Sequence, residues 1–237
     1  MFASRPSAAL GQSMLMACLF LCLLWWVKLA ESFLGLDLSN LAVVPLQLSG
    51  LLGIITAPLV HASYLHIFSN SLPVLVLGTL LFYGYPRSCK PALLLIWLMS
   101  GLGVWLFARQ AAHVGVSGVV HGMFFYLLLS SILRRDKLSV ALMMVGFFLY
   151  GGMLMTIFPR EPQISFEYHF FGAVAGCVAS VLFQHRDPKP EEKTYQWENE
   201  EDSQDPLIGD LWQQNPQHPY SDGSQTPHEH RDTENKY

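Results

Sequence analysis

The chain has 237 residues, 51% of them hydrophobic and 14% charged, with a formal net charge of −4. The charge is split: residues 1–187 hold ten Lys/Arg and six acids, whereas residues 188–237 hold four bases and twelve acids. The first part is too apolar for an ordinary soluble domain, no basic surface invites nucleic acid, and the second part reads as a polar tail.

Apolar runs of about 17–25 residues can cross a bilayer, and six occur in chain order. The first covers 13–34, with Trp25 and Trp26 near one end and Lys28 placed to snorkel. It is too long for a signal-peptide core and no A-x-A-like site follows it, so it reads as a retained span. The others cover 64–83, 91–108, 115–133, 138–158 and 166–184. The expected fold is therefore an all-α membrane bundle of six transmembrane helices over 1–187, followed by an acidic, disordered cytoplasmic tail over 188–237.

A cytoplasmic N-terminus would leave Arg5, Arg87, Lys90, Arg134, Arg135, Lys137, Arg186 and Lys189 inside and only Lys28, Arg109 and Arg160 outside. That obeys the positive-inside rule and predicts both termini in the cytoplasm. The connection 35–63 is moderately apolar but broken by Pro45, Gly50, Gly53 and Pro58. It is expected to be a structured loop lying partly in the outer leaflet and covered by the bundle. A seventh span there is the alternative, and it would put Ser117 and the second-span residues on opposite sides. Leu207, Ile208, Leu211 and Trp212 form one small apolar patch in the tail.

Polar and ionisable groups inside a membrane are costly and mark functional candidates. In the predicted topology the second, fourth and sixth spans all begin at the outer face. Their first turns hold His66 and Asn70, then Ser117 within Gly115-Val116-Ser117-Gly118, then His169. His66 and Asn70 are four apart and share a helical face. Gly118/Gly122 and Gly172/Gly176 give the fourth and sixth spans small faces that let backbones approach closely. Such packing would bring His169 toward Ser117, whose hydroxyl needs a base to become a nucleophile. No acid is placed to orient His169, since Glu167 would face elsewhere, so a Ser–His dyad is expected rather than a triad. Asn70, His66 and the Ser117 N–H could serve a developing oxyanion. His121, one turn after Ser117, could support the site or simply be a packing histidine. His113, His185 and the tail histidines take bland readings as helix–helix or solvated groups. Cys18, Cys22, Cys89 and Cys177 have no metal-type spacing, and His61, His66 and His169 lack the H-E-x-x-H pattern of zinc enzymes. Neither metal nor cofactor is implied.

Three stretches together resemble the rhomboid family of intramembrane serine proteases. Gly115-Val116-Ser117-Gly118 is similar to its G-x-S-G motif, and His61-Ala-Ser-Tyr-Leu-His66-Ile-Phe-Ser-Asn70 to its second-span H-x-x-x-x-H-x-x-x-N pattern. Glu167-Tyr168-His169 with the small residues after it resembles its sixth span. The resemblance spans about residues 10–185. It implies a serine endopeptidase of a bacterial-type inner membrane, cutting transmembrane segments of other proteins near the outer face. Ser117 would be the nucleophile and His169 the base. His66 and Asn70 would line the oxyanion hole with the main-chain N–H of Ser117, Val116 being a further main-chain candidate, and His61, His121, Gly115 and Gly118 are candidates for support. It also implies a membrane-embedded loop over 35–63 and a substrate gate at the fifth span. The chain departs from many members in carrying His121 where a tyrosine packs on the catalytic histidine, and its loop lacks a Trp-Arg pair. The rival reading is a catalytically silent rhomboid-like protein that binds membrane clients. Oligomeric state is not legible.

Overall fold

A computed structural model describes residues 7–159 and 164–189. Its helices are α1 (Ser7–Leu34), α2 (Gly53–Thr56), α3 (Tyr64–Gly84), α4 (Cys89–Phe107), α5 (Ser117–Arg134), α6 (Lys137–Tyr150), α7 (Met153–Thr156) and α8 (Phe166–Phe183). Five of them, α1, α3, α4, α5 and α8, are long and apolar enough to cross a membrane. Their boundaries follow local chemistry. The Ser63 hydroxyl caps α3 through the His66 N–H, the Asp136 carboxylate caps α6 through Ser139, and the Ser165 hydroxyl caps α8 through Tyr168.

The fifth expected span, 138–158, departs from a single long helix. It is realised as the 14-residue α6 and the one-turn α7, separated by Gly151-Gly152. Both glycines keep right-handed helical angles, and the N–H groups of Leu154 and Met155 reach back three residues to Gly151 and Gly152. The path tightens into a 3₁₀-like turn instead of stopping. The acidic tail and its apolar patch fall, from residue 190 onward, outside the described residues.

α5 is the axis of the bundle: 72% of its span is buried, against at most 44% for the other four long helices. Its Val120, Phe124 and Leu127 pack with Ile67, Leu77 and Leu81 of α3, Ile96 of α4, and Ala175 and Ala179 of α8. The α5–α8 seam is glycine on glycine. A Cβ on Gly172 would strike the Gly118 carbonyl, and one on Gly176 the Gly122 carbonyl. α1 lies against α3, with Ala17 on Gly78 and the Trp25 indole N–H donating to Ser71 Oγ at 3.0 Å.

Residues 35–63 contain three 3₁₀ turns and α2, and their helical stretch 48–59 is too short to span. The loop is tied to α4 by two indoles: Trp97 Nε1 donates to Ile55 O (3.0 Å) and Trp105 Nε1 to Gln47 O (2.9 Å). It reaches the segment before α5 through paired bonds between Val43 and His113 and from the Gly115 N–H to Ala57 O. Leu46, Leu48, Leu52 and Ile55 are left exposed on its other face.

Hydrogen bonds gather the N-terminal ends of α3, α5 and α8 at one end of the bundle. The opposite end is a buried polar hub. Arg134 Nε donates to Asp136 Oδ2 (2.9 Å) and Nη1 to the carbonyls of Gln184 (2.9 Å) and Asp187 (2.7 Å). The Asp187 carboxylate accepts from the Arg87 N–H (2.8 Å), the Ser88 N–H (3.1 Å) and the Ser88 hydroxyl.

Candidate active site

Ser117 opens α5, buried, at the positive end of an 18-residue helix. The first bond of the α5 ladder runs from the Val120 N–H to Val116 O. The N–H groups of residues 117–119 therefore precede the ladder and are free of its carbonyls. Gly115 turns the chain into this helix with φ +112°, and the His66 imidazole lies directly on its Cα.

His66 sits in the first turn of α3, its ring 5.2 Å from that of His61 in an edge-to-face pair. Asn70 is buried one turn on and spends one amide hydrogen on His66 O (3.0 Å), leaving the other uncommitted among the described residues. His61 is held by its carbonyl, which accepts from Lys28 Nζ at 2.9 Å. Its Nε2 receives the Val116 N–H in a long contact of 3.5 Å. Among the described residues the Ser117 N–H, next along the chain, makes no such bond. Burial first, and then the neighbouring His66, push the His61 pKa down to about 4, which keeps the ring neutral and able to accept.

His169 enters from the first turn of α8. The seam that admits it is so tight that the Tyr168 ring occupies the space over Gly118. Its Nδ1 lies 3.0 Å from the Thr156 carbonyl. A carbonyl only accepts, so Nδ1 carries the hydrogen and the neutral ring keeps its lone pair on Nε2. The ring stacks on His121 with centroids 3.9 Å apart and planes 10° from parallel. His121 Nδ1 donates in turn to the Ser117 carbonyl at 2.8 Å, and its Nε2 is 2.8 Å from the Thr156 hydroxyl. Ser117, His121 and His169 are thus brought together, with His66, Asn70 and His61 on the α3 side. Among the described residues no hydrogen bond joins the Ser117 hydroxyl to His169.

The N-terminus of α8 is itself latched. His113 Nδ1 pairs with Ser165 Oγ (2.7 Å) and Nε2 with Arg109 O (3.0 Å), a helix-joining role as its bland reading had it. Arg109 donates to Ile164 O (2.8 Å) and approaches Glu167 at 3.4 Å. Thr156 was missed by sequence reasoning, and no local signal marked it: a lone threonine late in an apolar run looks like any other membrane hydroxyl.

Residues 48–186 match the Rhomboid domain. This chain belongs to the rhomboid family. Relatives of this chain include an uncharacterized protein of Mycobacterium tuberculosis strain H37Rv. It is 33% identical over 194 residues, covering 78% of this chain and 80% of the relative. An uncharacterized Mycobacterium leprae protein is 31% identical over 184 residues, covering 74% of this chain and 71% of its own length. The rhomboid match, with five helices long and apolar enough to span, makes this an integral membrane protein.

Proposed function

We propose that this rhomboid is a serine endopeptidase hydrolysing peptide bonds in or near transmembrane segments of other membrane proteins. The supporting observation is the His169 tautomer: Nδ1–H is committed to the Thr156 carbonyl, so the Nε2 lone pair is available as a base. In this reading His169 Nε2 takes the Ser117 hydroxyl proton as Oγ attacks the scissile carbonyl. The oxyanion is met by the Ser117 N–H, the remaining Asn70 amide hydrogen and the His66 ring. The imidazolium then gives its proton to the leaving amine, and water, activated by the same base, hydrolyses the acyl-enzyme. The role otherwise played by a carboxylate falls to a main-chain carbonyl, consistent with a dyad.

In the same proposal the site end faces outward from a bacterial inner membrane with both termini cytoplasmic. The α6–α7 path serves as the sixth crossing, and the exposed leucines of the 35–63 loop rest in the outer leaflet. The test is cleavage of a transmembrane substrate in proteoliposomes by wild type, Ser117→Ala and His169→Ala. Each variant should lose at least about a thousandfold in rate, and only wild type and His169→Ala should retain the nucleophile for slow fluorophosphonate labelling. Equal cleavage by all three would discard the dyad. Silence in both assays from folded wild type would favour the client-binding reading.

A further inference from the structure

Thr156, the last residue of α7, touches both stacked imidazoles. Its carbonyl takes the His169 Nδ1–H, and its hydroxyl lies 2.8 Å from His121 Nε2. His121 Nδ1 already donates to Ser117 O, so the neutral ring offers Nε2 as an acceptor that only a donor can satisfy. The Thr156 proton has a second acceptor within reach, Met153 O at 3.0 Å; the His121 contact is the shorter. α7 contains no fully buried residue; Met153 and Leu154 pack against the core only in part. Immediately before it lie two glycines, and Gly152 has open space around it.

We propose that Thr156 and His121 form a buttress that positions both the base and the nucleophile's backbone, tying α5, α7 and α8 at one point. This deepens the serine-protease reading and rests on it for its kinetic consequence. His121 fixes the Ser117 carbonyl and the plane of the His169 ring; Thr156 fixes His121 through its hydroxyl and His169 through its carbonyl. Both are positioning residues, since neither is asked to exchange a proton with substrate. A displacement of α7 would release both rings together.

The test uses full-length protein in lipid nanodiscs with ¹⁵N-labelled histidine, comparing wild type, Thr156→Val, Thr156→Ser and the control Met155→Leu on the exposed side of α7. Nitrogen shifts should show His121 and His169 as Nδ1–H tautomers in wild type, with the His121 signal moved in Thr156→Val and restored in Thr156→Ser. On a transmembrane substrate, Thr156→Val should lower kcat about tenfold, the rate equivalent of one hydrogen bond, with KM within twofold. Thr156→Ser should recover most of the rate, and Met155→Leu should match wild type. An Nε2–H tautomer at either ring in wild type overturns the proposal. So does Thr156→Ser no better than folded Thr156→Val, or Thr156→Val with unchanged His121 signals. Wild type that shows the tautomers but neither cleaves nor labels sinks the protease reading while leaving the buttress standing.

Discussion

At Gly115 the backbone holds φ +112°, and the place a Cβ would take is 2.6 Å from His66 Cε1. Gly115→Ala is therefore strained twice, by backbone conformation and by the displaced imidazole. We expect a loss of about 1–3 kcal/mol in stability and a larger loss of cleavage, read from thermal melts and proteoliposome assays of the same preparation. The motif Gly-Val-Ser-Gly was legible as a chemical signature, but the reason for its first glycine was not, because it lies in a ring from another helix. His61 carries a second expectation. Its folded pKa, about 4, lies below the ordinary histidine value of 6.5, so the unfolded chain binds the proton first. Its contribution to stability is intact above pH 6.5 and declines as pH falls from there toward 4. His61→Gln should flatten that acid limb in melts taken across pH 4–7; an unchanged limb would assign it to His66 or the other site histidines.

Between helices, the glycine seam of α5 and α8 decides how close the two halves of the site can come. Gly172→Ala drives a methyl against the Gly118 carbonyl, and Gly176→Ala another against Gly122. Each should cost about 1–3 kcal/mol by overpacking. Gly172→Ala should injure activity more, because only its contact adjoins Ser117 and Tyr168. Gly152→Ala, where nothing stands within 4 Å, serves as the neutral comparison. The seam was legible from the four-residue spacing of small residues together with its place just after Ser117 and His169, since such faces let helix backbones approach in lipid. The helices α1, α3, α4, α5 and α8 were legible for a similar reason: lipid imposes a length. The 35–63 loop was legible as non-helical from its prolines and glycines, yet its anchors were not. Trp97 and Trp105 look like lipid-facing aromatics until their indole N–H groups are found on loop carbonyls. The break at Gly151-Gly152 was visible as composition only, and Thr156 beyond it was invisible, because its partners are set by how three helices meet.

Among the described residues, the ion pairs lie toward the two ends of the bundle, and the hydrogen bonds between them are those of hydroxyls and an indole. The end remote from Ser117 is organised by Arg134, 5% exposed, whose guanidinium is shared among Asp136, Ser139 and the carbonyls of Gln184, Asp187 and Pro188. It also lies over the Tyr85 ring. Asp187→Ala removes the acceptor for the Arg87 and Ser88 N–H groups and the Ser88 hydroxyl and should destabilise the bundle by about 1–3 kcal/mol, the cost of leaving buried donors unmet. The measurement is a denaturation midpoint in mild detergent, and a shift no larger than that of a lipid-facing Leu182→Ala would refute it. The same hub has a consequence for how the protein is made. Arg134 is synthesised some fifty residues before the carbonyls that satisfy it, which lie just past the end of α8. A nascent chain halted before Gln184 thus leaves Arg134 with Asp136 and Ser139 alone, its Nη1 donors unmet by the later carbonyls, and the hub closes only when α8 is delivered. We expect the closed hub to serve as a receipt for the insertion of α8. Chains truncated after Phe183 should be cleared by membrane quality control faster than full-length chains with an inert Ser117→Ala site, and equal half-lives in a pulse-chase would show that the receipt is not read.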